Sequence, residues 1–236
     1  MRQVGLIAIN FVREQRWPIL VLMLWILVFS VLGLLVDLRR SREDVLFIFK
    51  QLAVYGIAFA VFFGASAIHN ERKTRRILSV LSKSVGRAQY ISGLLGGIVL
   101  AVGIYCFAMA VTGTWILRPA GFPALHVWFL MLCLMMGCLL AAAVAVLFST
   151  FLNPLFATLC TALALGIPAV AALQFHSRWV DAIPSYSLIN LLMKASFAPN
   201  WTARWDLLAL ALLDAIALWL IASWIFRQRD IAVAVD

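Results

Sequence analysis

The sequence predicts an all-α integral membrane protein with six transmembrane helices, and three observations carry that expectation. Of the 236 residues, 65% are hydrophobic and only 12% are charged, against roughly half and a quarter in soluble domains. The charges gather in short clusters separated by long charge-free stretches. The apolar residues come in unbroken runs and not in short alternating segments, which excludes a transmembrane β-barrel as well as a disordered chain. A water-soluble fold of this composition would leave too few charged side chains to cover its surface.

The spans follow from asking where ionisable residues are missing, since each costs roughly 2.5 to 3.5 kcal/mol at the centre of an inserted helix. Residues 1–16 come first, with Val4, Ile7, Ala8 and Phe11 at helical spacing and Arg2, Asn10, Arg13 and Glu14 elsewhere. This is the pattern of an amphipathic helix lying on the inner membrane face. The charge-free stretch after Arg16 then gives a first span at 17–36, with Pro18 suited to its first turn. The lead is too charged and the apolar run too long for a cleaved signal peptide, and no small-residue cleavage site precedes Asp37. A second span falls at 51–70, between Lys50 and Glu71, and a third at 90–117, between Arg87 and Arg118. From Pro119 to Ser177 no formal charge occurs, which is enough for two spans, 124–148 and 154–176. The polar run Ser149-Thr150-Phe151-Leu152-Asn153-Pro154 supplies the turn between them. Residues 178–205, with Ile183-Pro184, Leu188, Leu191, Leu192, Met193 and Phe197, are too apolar for a free loop and too short in charge-free length for a span. They fit a re-entrant or interface-lying helical segment on the outer side. The last span, 207–226, is broken only by Asp214. An acid there is expected to face the bundle interior, either in contact with substrate or protons or in an interhelical hydrogen bond.

Orientation follows from the basic residues. Eleven of the nineteen lie on the side of both termini, six of them between Arg72 and Arg87, which places the termini in the cytoplasm; Arg39, Arg40 and Arg42 run against this. Trp17, Trp115, Trp128, Trp179, Trp201, Trp205 and Trp224 all fall near expected span ends, whereas Trp25 and Trp219 sit deeper. The net charge of +9 therefore reports topology and not nucleic-acid binding.

Catalytic motifs are missing. His69-Asn70-Glu71 lacks the second histidine of a metalloprotease pair, Gly64-Ala65-Ser66-Ala67 lacks the flanking glycine of a serine nucleophile turn, and no G-x-x-x-x-G-K-[ST] run is present to cradle a nucleotide. The chain is thus expected to be no enzyme and to hold no cofactor. Cys106, Cys133, Cys138 and Cys160 fall within spans and form no C-x-x-C pair, so they read as small packing residues. His126 with Met131, Met135 and Met136 could form a soft-metal or haem set, but a helix-end histidine and gap-filling methionines are the plainer reading. Gly56-x-x-x-Ala60-x-x-x-Gly64 and Gly93-x-x-x-Gly97 offer close-packing helix faces, and Pro168 after Gly166 should kink the fifth span.

The stretch from Glu71 to Gly93 carries the most information. Ile77, Leu78, Leu81 and Val85 recur on one side of a short helix whose other faces are basic and hydroxylated. That pattern fits a membrane-surface helix, or one that docks apolar knobs and arginines onto a cytoplasmic partner. Glu71, Ile77, Leu81, Ser82, Val85, Arg87, Tyr90, Ile91 and Gly93 match a pattern found after the second span of ABC type-2 transporter permeases. Arg75-Arg76 stands where that pattern has Gly-Thr, Ser84 where it has proline and Leu94 where it has lysine. Phe226-Arg227-Gln228-Arg229-Asp230-Ile231 likewise resembles the family's F-x-x-R-D-[IL] ending. The whole-chain layout is similar too, with weak similarity to permeases of multicopper-enzyme maturation systems.

This resemblance implies the permease subunit of an ABC exporter. Such a subunit pairs with a second permease, identical or related, and with two cytoplasmic ABC ATPase subunits that bind ATP and magnesium. It implies a cytoplasmic coupling helix at 71–89, with Glu71 near the ATPase contact. Leu78, Leu81 and Val85 would enter an apolar groove on the ATPase, and Arg75, Arg76 and Arg87 would meet acidic residues at its rim. The location implied is the inner membrane, with lipids as the surrounding partner and no nucleic acid. A secondary transporter or channel, or an assembly factor for haem or copper enzyme maturation, are the competing readings.

Overall fold

The computed structural model describes residues 2–35, 42–73, 86–117, 121, 123–172, 203 and 205–228. Seven helices occur among them: α1 (Arg2–Glu14), α2 (Arg16–Leu35), α3 (Arg42–Lys73), α4 (Arg87–Leu117), α5 (Ala124–Ser149), α6 (Pro154–Ala172) and α7 (Trp205–Gln228). No strand occurs among the described residues. Four stretches are long and apolar enough to cross a membrane: Phe49–His69 within α3, Arg87–Ile116 within α4, Ala124–Ser149 and Trp205–Gln228. The apolar stretches Arg16–Val28 and Pro154–Ile167 are shorter. The expected outer segment at 178–205 lies outside the described residues but for Ala203 and Trp205, as do Arg39 and the coupling residues 74–85.

Large apolar side chains lie on the outside of the bundle. Leu125 and Leu155 are 72% and 85% exposed, and Leu24, Phe107, Ile167, Leu213 and Trp224 are exposed as well. Exposed side chains of this size, together with the four long apolar helices, suggest a membrane protein.

Helices α3, α4 and α5 form the centre. In lipid no hydrophobic force drives helices together, so close approach through small residues must supply the packing. The α3–α5 contact is the most extensive between helices and depends on such an approach. A Cβ atom placed on Gly64 would lie 2.7 Å from Ala145 Cβ and 2.9 Å from the Ala142 carbonyl oxygen. Ala60, Ala67, Ala141, Ala142 and Ala145 are buried along the same seam. Helix α4 crosses this pair with Tyr105, whose ring covers Gly56 and whose hydroxyl donates a 2.6 Å hydrogen bond to the Leu52 carbonyl of α3.

Local chemistry sets the helix ends. Gln89 Oε1 accepts a hydrogen bond from the Gly86 N–H at the start of α4 (3.2 Å), one half of a capping box. Between α5 and α6 the Thr150 and Phe151 amides donate back to the Leu147 and Phe148 carbonyls. Asn153 then accepts from the Ala157 amide, with Pro154 as the first residue of α6, where its missing N–H costs nothing.

The apolar stripe of α1 packs on a helix of the bundle. Ile7, Ala8 and Phe11 are turned onto α4: a Cβ on Gly93 would come within 2.7 Å of Ile7, and one on Gly97 within 2.7 Å of Phe11. The outward side chains of α1 include the exposed Leu6 and Ile9. Glycine pairs four residues apart open a groove on a helix, and here the groove receives α1.

Candidate functional site

The cytoplasm-facing chemistry expected from the sequence centres on residues 71–89, and the structure describes both ends of this stretch. Glu71 lies in the last turn of α3, whose backbone continues to Lys73. Arg75, Arg76, Leu78, Leu81 and Val85 lie outside the described residues. Arg87 opens α4, and here the structure adds something that sequence reasoning did not see.

The Arg87 guanidinium Nη1 donates to the Arg227 carbonyl oxygen at 2.7 Å and approaches the Phe226 carbonyl at 3.5 Å. These are among the last carbonyls of α7, which lack intrahelical donors and carry the negative end of the helix dipole. One turn further along α4, Tyr90 stacks on Phe226, with ring centroids 6.0 Å apart and planes 16° from parallel. Both rings are buried. Ser92 adds a third tie: it accepts from Trp219 Nε1–H at 3.1 Å and donates to the Ala88 carbonyl at 2.8 Å. The base of α4 and the end of α7 are therefore fastened by an ionic hydrogen bond, a ring stack and an indole bond. Sequence reading set Arg87 at the rim of a partner's groove; the structure directs its guanidinium onto α7. The missed signal was the C-terminal helix end itself, since four unpaired carbonyls call for a cation.

Arg87→Gln is expected to loosen the end of α7 by about 1 kcal/mol, and Arg87→Glu by roughly 2 kcal/mol because a carboxylate would face carbonyl oxygens. Amide hydrogen exchange in the last two turns of α7 measures this. Unchanged exchange in both variants would remove the fastening role.

No family model, curated protein or solved structure matches this chain. What the base of α4 does must therefore be argued from its own geometry.

The remaining candidates sit elsewhere. Asp214 is half-buried at mid-length of α7, beside the buried stripe that includes Leu207, Leu208, Ala211 and Ala215. Ser66 directs its hydroxyl to the Phe62 carbonyl of its own helix at 2.8 Å and lines an apolar cavity of about 380 Å³ with Phe62, Leu155 and Leu159. Bonded back in this way, it has the geometry of a packing residue. All four cysteines are free thiols. His126 and Met131 are buried, Met135 and Met136 pack against the core, and among the described residues no three His, Cys, Asp or Glu side chains cluster as metal ligands would.

Proposed function

We propose that this chain is the permease subunit of an ATP-driven ABC exporter. The observation that supports it most is the meeting of two distant stretches. Arg87 and Tyr90 come from the segment resembling the second-to-third-span region of ABC type-2 permeases, and Phe226 and Arg227 come from the segment resembling the family ending. These residues touch one another at the base of α4.

In this reading the chain has six spans, the apolar stretches of α2 and α6 serving beside the four longer ones, and both termini are cytoplasmic in the inner membrane. Residues 71–89 form the coupling helix and 178–205 an outer re-entrant segment. The translocation path lies between this permease and a second, identical or related one. Two separate cytoplasmic subunits bind and hydrolyse ATP with magnesium. The coupling works as a lever. Closure of the ATPase pair pushes on Leu78, Leu81 and Val85, and the displacement reaches α3 through Glu71 and α4 through Arg87. Because α4 is fastened to α7, the push also moves α7 and brings Asp214 with it.

Purification in mild detergent from the native membrane is expected to recover a P-loop ATPase with the permease. Leu81→Asp should lower that recovery by roughly tenfold or more, since a carboxylate cannot enter an apolar groove without heavy desolvation cost. ATPase recovery that is undiminished in Leu81→Asp would sink the docking role, and a native preparation with no ATPase would sink the exporter reading.

A further inference from the structure

Arg87 and Arg227 lie 140 residues apart, and each sits in a basic stretch of the sequence. Residues 71–89 carry Arg72, Lys73, Arg75, Arg76, Lys83 and Arg87 against Glu71, and residues 226–230 carry Arg227 and Arg229 against Asp230. Eight cations stand against two anions. Two of the eight are joined in a particular way. Arg87 Nη1 donates to the backbone carbonyl of Arg227 at 2.7 Å, so Arg227 enters the fastening of α4 to α7 through its main chain alone. Its guanidinium is left for another task.

Arg227 is exposed, and among the described residues no acid pairs with it. A single arginine on a helix end would be ordinary solvated surface. Here the residue that carries it is held by a second, half-buried arginine, and the stack of Tyr90 on Phe226 fixes the backbone beneath both. Two like charges are thus kept together on a rigid base, where a flexible pair would drift apart. The exposed neighbours Gly86, Gln89 and Gln228 add polar surface without charge. A pair of arginines set in place beforehand matches a cluster of carboxylates and needs little further ordering when it meets one.

We propose that the end of α7 belongs to the same docking surface as residues 71–89, and that Arg227 and Arg87 together receive an acidic patch on the cytoplasmic ATPase subunit. The identity of that partner rests on the exporter reading. The rim position that the resemblance gives to Arg87 is then shared between two residues: Arg87 holds the end of α7 in place, and Arg227 reaches out from it. A docking surface built from both stretches delivers the push of the ATPase to α4 and α7 at once.

Replacing the Arg227 side chain leaves its carbonyl for Arg87, so docking can be tested apart from the fastening. The full chain is purified in mild detergent from the native membrane, and the P-loop ATPase recovered with it is measured. Recovery is expected to fall severalfold in Arg227→Gln and roughly tenfold in Arg227→Glu, whereas Arg227→Lys, which keeps the charge, should lose the least. Added salt should release the ATPase more steeply from the wild type than from Arg227→Gln, since exposed ion pairs are screened. Amide exchange in the last two turns of α7 should be unchanged in Arg227→Gln and Arg227→Lys. Faster exchange accompanying every loss of ATPase would assign the effect to the fold and overturn the docking role. Undiminished recovery in Arg227→Glu beside a loss in Leu81→Asp would overturn the proposal and leave the exporter reading standing, while a native preparation with no ATPase would take both down. A loss in Arg227→Lys as deep as in Arg227→Glu would also overturn it, because the partner would not be reading charge. If ATPase recovery held in Arg227→Gln while retention of phosphatidylglycerol over phosphatidylcholine fell, the pair of arginines would belong to an anionic leaflet instead.

Discussion

Gly64→Leu is expected to separate α3 from α5 and leave no stable bundle. The position is unusual because both of its nearest neighbours are unyielding: Ala145 presents a Cβ at 2.7 Å and Ala142 a backbone oxygen at 2.9 Å from where the new Cβ would stand. Neither can rotate away, so the two helix axes must move apart. Axis separation would also release the buried Phe63, Ala60 and Ala67 from their contacts. Overpacking commonly costs 1–3 kcal/mol, and with rigid atoms on both sides about 3 kcal/mol or more is expected here. Gly64→Ala should be milder yet clearly destabilising, and adding Ala145→Gly should restore only part of the loss, because the Ala142 oxygen stays where it was. Thermal unfolding followed by size exclusion in detergent orders the three variants. A wild-type melting profile for Gly64→Leu would show that this seam is looser than described.

The second large effect is local. Gly97→Leu is expected to lift α1 from α4 while the central helices stay folded. A Cβ on Gly97 would meet Phe11 Cβ at 2.7 Å and its ring carbons at 2.9 Å. In contrast to Gly64, the obstructing atoms belong to a 13-residue helix at the edge of the structure, which can leave as a unit. With Cys160 replaced by serine and Ala8 by cysteine, maleimide labelling reads the outcome directly, since Ala8 is buried against α4. Labelling should accelerate at least about tenfold in Gly97→Leu, corresponding to about 1.4 kcal/mol in the opening equilibrium. If the whole bundle melted as in Gly64→Leu, α1 would be integral to the core and not a layer upon it.

The two glycines show what the sequence could and could not convey. Charge-free runs between Lys50 and Glu71 and between Arg87 and Arg118, and the run from Leu207 to Phe226 broken only by Asp214, mark helices because inserted charge is expensive in lipid. The turn at Thr150–Asn153 is legible from its polar residues and the Asn-Pro pair. Partner choice is a different matter. The stripe Ile7, Ala8, Phe11 announces an apolar surface to be covered, but lipid and a neighbouring helix are about equally apolar, so periodicity alone cannot say which will cover it. The same ambiguity applies to Gly93 and Gly97, which read as a seam between spans and instead receive α1. Arg87 was legible as a functional cation from its place in a motif. Its contact lies 140 residues away at a helix end, and nothing local to either segment encodes that meeting.

The fastening of Arg87 to the end of α7 also orders events during synthesis. Residues 226 and 227 are made long after α4, so these contacts of Arg87 and Tyr90 form only when the last helix arrives. A chain that stalls before α7 presents a different surface there from one that has completed it. A protein that recognised the closed base of α4 would distinguish finished chains from unfinished ones.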